Sequence, residues 1–304
     1  MTELSKEIFK NFQVRKTKKQ KTQFIAFLCS CIEGVRVEQN KLFANRNLVI
    51  GNINKAKVIL TAHYDTCAVL PFPNFLTPKN IPIYLLYNFL IAAVMIGGAE
   101  AVYSLVILLT ANGRVAYFAM LVTLLLFVFL LLAGPPNRHT ANDNTSGVIT
   151  LCEIMAALSP EQREKTVFVF FDNEESGLIG SALFKRKHKN ELKDKLVMNF
   201  DCVSDGDYFL IIQNKKARRE FGGIVTQAFV SKRKNMIISD ASTTLYPSDQ
   251  LWFNKNIGIA AFKRNKLFGL FIDKIHTRRD TVWDALNIET LKESTIRFLD
   301  LLEA

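Results

Sequence analysis

Thr166-Val167-Phe168-Val169-Phe170-Phe171 runs without a break into Asp172-Asn173-Glu174-Glu175-Ser176-Gly177-Leu178-Ile179-Gly180-Ser181. An unbroken run of β-branched and aromatic residues predicts a strand covered on both faces, the kind that occupies the middle of a parallel sheet. Two adjacent carboxylates follow its C-terminal end, and Leu178 to Lys187 then reads as a helix. Burying two acids at that place requires cations or a shared proton beside them.

The same unit recurs on both sides. Lys57 to Ala62 reads as a buried strand that delivers His63-Tyr64-Asp65, and Leu196 to Phe200 as one that delivers Asp201. Ala141-Asn142-Asp143-Asn144-Thr145 opens a helix over Ser146 to Leu158. Further strands are expected at Val35 to Gln39, Asn47 to Gly51, Tyr208 to Ile212 and Ile257 to Ala261. Helices are expected at Leu4 to Phe12, Thr22 to Ile32, Phe221 to Val230 and Ile288 to Leu302. Such alternation predicts an α/β three-layer sandwich, its central sheet mixed but mostly parallel, with helices on both faces. In open sheets of this class the site forms at the carboxyl ends of the strands.

One stretch breaks the pattern. Ile81 to Ala99 and Val115 to Ala133 carry no charge, and Glu100 and Arg114 are the charges between them. A bilayer span needs about 20 apolar residues, so residues 79–134 are expected to form an inserted apolar hairpin that meets membrane lipid. The first helix either stops near Gly97-Gly98 or continues to Leu109 with Glu100 facing inward, and Asn112-Gly113 supplies the turn. The remaining residues, 1–78 and 135–304, make one discontinuous catalytic domain.

The chain carries 39 Lys and Arg against 28 Asp and Glu, a formal charge of +11. Its basic runs at Arg15 to Lys21, Lys185 to Lys189, Lys215 to Arg219 and Lys232 to Lys234 lack interleaved aromatics, so they are read as solvated faces and no nucleic-acid partner is expected. Five cysteines, mostly in apolar runs, suit a reducing compartment. Met1 to Gln20 fits neither a signal peptide nor an N-terminal anchor. The distal turn of the hairpin holds one Arg, whereas Lys79 and Arg138 flank its base, which places the catalytic domain toward the cytoplasm.

Each polar turn is a weak signal alone: His63 beside Asp65 reads more readily as a structural histidine, and Asp143 serves equally as a helix cap. Taken in order, His63, Asp143, Glu174-Glu175, Asp201 and His276 resemble the di-zinc aminopeptidases of clan MH, whose relatives include glutamate carboxypeptidases and glutaminyl cyclases. Gly177 to Ser181 and Ser248-Asp249 extend the likeness, which covers nearly the whole chain outside the insertion. It implies two zinc ions bridged by Asp143, with His63 and Asp201 on one, Glu175 and His276 on the other. It also implies Glu174 as general base and a peptide as substrate, while the position of Asp65 beside His63 lets it fix that imidazole from behind. Gln250, where relatives commonly have His, and Cys202-Val203-Ser204 after Asp201 depart from the pattern and bear on substrate contacts. His139 and His188 receive no role. Two alternatives stand beside aminopeptidase hydrolysis: intramolecular acyl transfer of the glutaminyl-cyclase kind, and a non-catalytic membrane binding module. The peptide specificity and oligomeric state stay open.

Overall fold

Three parallel strands form the centre of the molecule in a computed structural model that describes residues 1–303: β3 (Val58–His63), β4 (Thr166–Phe171) and β5 (Leu196–Phe200). All three are buried along their whole length, as their uninterrupted apolar sequence requires. Around them the sheet runs in the order β1 (Arg36–Asn40), β2 (Asn45–Ile50), β4, β3, β5, β8 (Lys255–Asn265), β6 (Tyr208–Gln213), β7 (Asn235–Asp240), with β9 (Gly269–Phe271) paired to β8. Pairing is parallel from β4 through β3 and β5 to β8 and between β6 and β7, and antiparallel elsewhere. The sheet is therefore mixed, with its parallel part at the centre.

Period-two alternation sends Leu60, Phe168, Phe170 and Ile259 to one face and Ile59, Val167, Val169 and Ala260 to the other. The first face is covered by α1 (Glu3–Asn11), α2 (Lys18–Cys31), α5 (Gly147–Ala157), α8 (Lys215–Ala228) and α9 (Ala285–Glu303). The second is covered by α7 (Ile179–Lys187), through Phe184, and by the loops holding Leu76 and Ile272. A short helix, α6 (Pro160–Glu164), leads into β4.

Sequence expectation and structure part at a few elements. α8 starts at Lys215, six residues before the expected Phe221, because Asn214 caps it and its first turns bury only Ala217 beneath a charged outer face. β7 and β9 lie at sheet edges, where half-buried strands carry too weak an apolar pattern to be read. Arg15, Lys21 and Lys234, taken with their runs as solvated, are buried. Each turns its charge toward partners far off in the chain, such as Asp207 and Asp284 for Lys234.

The insertion forms two helices, α3 (Ile81–Thr110) and α4 (Gly113–Ala133), packed antiparallel. α3 passes through Gly97-Gly98 as one helix. The Asn112 side chain accepts from the Arg114 and Val115 amides, capping α4. At a rise of about 1.5 Å per residue they measure roughly 45 Å and 31 Å. Their side chains are open to the outside, Leu108 at 80% and Val94 at 75% of full exposure, so neither is a core helix. Glu100 is exposed as well; it faces out of the hairpin, not inward, because the small Ala99 takes the place against α4.

Candidate functional site

Strand register assembles the site. His63 pairs with Phe171 and Thr61 with Asn199, so His63, the turn that begins at Asp172 and the turn that begins at Asp201 leave the sheet side by side. A Cβ at Gly180 would meet the Asp172 carbonyl oxygen at 2.1 Å; only glycine lets α7 start this close to the strand end. Asp143 arrives on the turn Ala141–Ser146. Asp280 accepts from the backbone amides of Asn142 (2.8 Å) and Asp143 (3.0 Å), and the Asn144 amide group donates to the Phe200 carbonyl while accepting from Cys202.

Two donor triads share Asp143. Its Oδ1 lies 3.3 Å from His63 Nε2, which is 3.4 Å from Asp201 Oδ1. Its Oδ2 lies 3.2 Å from His276 Nε2, which is 3.3 Å from Glu175 Oε2. These separations exceed a charge-assisted hydrogen bond of about 2.7–2.9 Å. They match the edge, roughly 3.3–3.4 Å, of a tetrahedron around an ion with ligand bonds of about 2.0–2.1 Å. Glu175 Oε1 and Asp201 Oδ1 are buried without a hydrogen-bond partner among the described residues. Nitrogen and oxygen donors at this spacing fit divalent metal ions.

Charge leads to the same chemistry. Asp143, Glu174, Glu175 and Asp201 place four carboxylates around two imidazoles, leaving net negative charge even with both rings protonated. Burial pushes Glu174 and Glu175 well above the usual carboxylate range, and neighbouring acids add to it. Burial works against a charge on His63, yet Glu174 and the adjacent carboxylates of Asp143, Asp201 and Asp65 hold the ring's pKa well above the ordinary value. Asp143 is buried too, but the His276 and His63 imidazoles beside it hold it low.

Asp65 lies behind His63, as expected, and its carboxylate has a second job. His63 Nδ1 lies 3.1 Å from the Asp65 backbone carbonyl and 3.6 Å from its carboxylate. That carboxylate also accepts the backbone amides of Glu174 (3.0 Å) and Glu175 (3.3 Å), so Asp65 positions the acidic pair. Ser248 Oγ donates to Asp201 Oδ2 at 2.6 Å.

Several residues of this architecture carry no local signal. Arg15 is fully buried behind the site, where its Nε donates to the Tyr64 carbonyl (2.5 Å) and one Nη to Thr145 (3.1 Å). Burial lowers its pKa to about 10 against the pull of Asp65 and Asp143. Lys21 Nζ reaches Asp172 (2.5 Å) and Asn173 (2.7 Å) and pins the turn that presents Glu174. Lys21→Ala leaves Asp172 unpaired in the interior, and thermal or denaturant unfolding is expected to register a loss of about 3–5 kcal/mol. Asp280 alone was within reach of sequence reading, as the acid of the polar turn that starts at His276.

The triads line a pocket of about 190 Å³ whose other walls are mainly apolar: Leu76, Tyr84, Tyr246, Ile272 and Ile275. Glu174 and Cys202 also face it. Gln250 does not: it is buried behind Asp201, accepting from Asn199 and donating to the Tyr246 carbonyl. His139 is exposed, in a groove with Arg138 and Arg278, and His188 is bound to Glu38 and Glu191 away from the site.

A family model described as peptidase family M28 matches residues 128–302. That segment holds Asp143, Glu174, Glu175, Asp201 and His276 and leaves His63, across the insertion, outside. A vacuolar membrane protease of Kluyveromyces lactis is 27% identical over 167 residues, which is 50% of this chain and 18% of that protein. The chain thus spans about a fifth of the curated relatives it matches. Among solved structures, a glutaminyl cyclase of Porphyromonas gingivalis shares the fold with a TM-score of 0.61 at 17% identity, over 98% of this chain and 96% of that one. The LapA aminopeptidase of Legionella pneumophila does so at 0.57 and 13%, over 98% and 70%.

Proposed function

The chain belongs to peptidase family M28, and from that premise we propose that it is a membrane-attached zinc aminopeptidase that removes N-terminal residues from short peptides. The observation that carries this reading is the pair of histidine–carboxylate triads sharing Asp143. Asp143 would bridge two zinc ions, His63 and Asp201 completing one site and Glu175 and His276 the other. When bound, the ions would lower the pKa of a water toward about 7 and polarise the scissile carbonyl.

Glu174 takes the proton of the attacking water on its carboxylate and hands it to the leaving amine. Asp65 holds Glu174 in place through its backbone amide. Tyr246 and the aliphatic wall receive the side chain of the terminal residue and exclude water. The pocket is small beside the roughly 300–1,000 Å³ clefts that engulf larger ligands, which favours a chain end over an internal segment.

Residues 79–134 would cross the bilayer twice, α4 matching a hydrocarbon core of about 30 Å. The catalytic body, residues 1–78 and 135–304, would face the cytoplasm: Lys79 and Arg138 flank the hairpin in sequence, Lys16 reaches the end of α4, and Arg114 is the one basic residue at the distal turn. A relative that is named a membrane protease supports attachment.

The test is a panel of peptides with free and with blocked N-termini, offered to detergent-purified, zinc-loaded protein. Free termini are expected to be trimmed and blocked ones left intact. Cyclisation of N-terminal Gln without hydrolysis would replace this reading by intramolecular acyl transfer, and metal binding without turnover by a binding module.

A further inference from the structure

The membrane hairpin and the reaction site share a wall. Tyr84, in the first turn of α3, lines the same pocket as His63, Glu174 and His276 and packs against the cluster that holds Cys202 and Tyr246. The strap before it is fixed to the pocket's far side. Leu76 exchanges backbone hydrogen bonds with Ile272 (3.1 and 2.9 Å), and the Leu245 amide donates to the Pro78 carbonyl (2.9 Å). The return strand after α4 is fixed beside it: the Val69 amide donates to the Pro135 carbonyl (2.8 Å) and the Leu70 amide to the His276 carbonyl (2.8 Å). Both roots of the hairpin therefore end at the segment that presents His276.

The two helices also set the height of the site. The Phe127 ring lies against Gly98, where an added Cβ would meet it at 3.4 Å. Counting from that contact, the last turn of α4 is level with Ala92 of α3. Lys16 Nζ donates to the Leu132 carbonyl at 2.8 Å, so a charged group stands at that level beside the end of α4. From Ala92 back to Tyr84 the helix descends about 12 Å. Its outer side there, Leu85, Leu86 and Phe89, is exposed and apolar. Through Tyr84 the pocket thus lies about 12 Å along α3 from the level of Lys16, with an apolar outer helix face between them.

We infer that the preferred substrate is a peptide anchored in the same membrane, which enters the pocket by its free N-terminus, and that the same peptide without an anchor is trimmed more slowly. This rests on the aminopeptidase reading above and adds the substrate's location. Each turnover breaks one peptide bond with one water; the carboxyl stays on the released residue and the new amine on the anchored remainder. An extended chain advances about 3.3 Å per residue, so roughly four residues bridge the 12 Å between the anchor and the site. Trimming then stops when about four residues remain ahead of the anchoring segment.

The experiment uses the full chain with zinc in lipid nanodiscs and peptides that carry one apolar transmembrane anchor behind free N-terminal overhangs of about two, four, eight and twelve residues. The same overhangs without an anchor, and a small chromogenic amino-acid amide, complete the set. Anchored peptides with the two longer overhangs are expected to react on the order of tenfold faster than their soluble counterparts and to halt with about four residues left, read by mass spectrometry. Anchoring raises local concentration by itself, but concentration does not set the halting length. Equal rates on soluble peptides, trimming up to the anchor, or a halt with eight or more residues left overturns the inference. Hydrolysis of the amide without trimming of anchored peptides overturns it alone; inertness toward all three substrates overturns the aminopeptidase reading with it.

Discussion

Glu174→Gln is expected to lower kcat on the order of a thousandfold while leaving the metal content and melting temperature of the protein unchanged. The size follows from the role: a positioned general base contributes about 10²–10⁴-fold. The selectivity follows from geometry. Glu174 faces the pocket but belongs to neither pair of imidazole–carboxylate contacts at 3.2–3.4 Å, whereas Glu175, its neighbour, lies 3.3 Å from His276. Glu175→Gln should therefore lose metal as well as activity. Kinetics paired with metal analysis on the two variants checks this, and a Glu174→Gln enzyme at wild-type rate removes Glu174 from the chemistry.

Chelation is expected to lower the melting temperature by on the order of 10 °C at pH 8 and by much less at pH 5.5. Metal ions bound to the native state but not the unfolded one stabilise it by mass action. The pH dependence comes from the metal-free protein. Burial raises Glu174 and Glu175 above their unfolded value of 4.5, and raises Asp249 and Asp280 to about 7 from 3.8. Groups raised by folding contribute stability that is full below the unfolded pKa and lost as pH climbs through the folded one. His63, also raised, acts in the same direction above its unfolded 6.5. The stripped protein should thus weaken steadily from about pH 5 to pH 8, while cations offset the ionised cluster. Differential scanning with and without chelator at the two pH values tests this; equal shifts at both would contradict it.

These expectations rest on features of unequal legibility. β3, β4, β5 and α5 were readable because a fully buried parallel strand writes an unbroken apolar run, and the polar residues that end it stand out. α4 was readable for a similar reason, since a helix apolar on every side has no polar face to blur its bounds, whereas the end of α3 stayed open between Gly97-Gly98 and Leu109. For Asp65 one partner was legible and the other was not. Sequence adjacency suggested the His63 ring, while the register of β3 against β4 brings its carboxylate to the Glu174 and Glu175 amides.

By itself, the sequence determined the strand–turn–helix order, the residues at each strand end and the insertion, because these depend on local period and polarity. Tertiary structure alone decided that Arg15 and Lys21 turn inward, that Asp280 holds Asp143, that Gln250 lies behind the site and that Tyr84 reaches it from the hairpin. Each of these joins segments far apart in the chain, as Lys21 does with Asp172 across 151 positions. Whether a charge is solvated or buried is set by what packs over it, and no periodicity in its own segment carries that information.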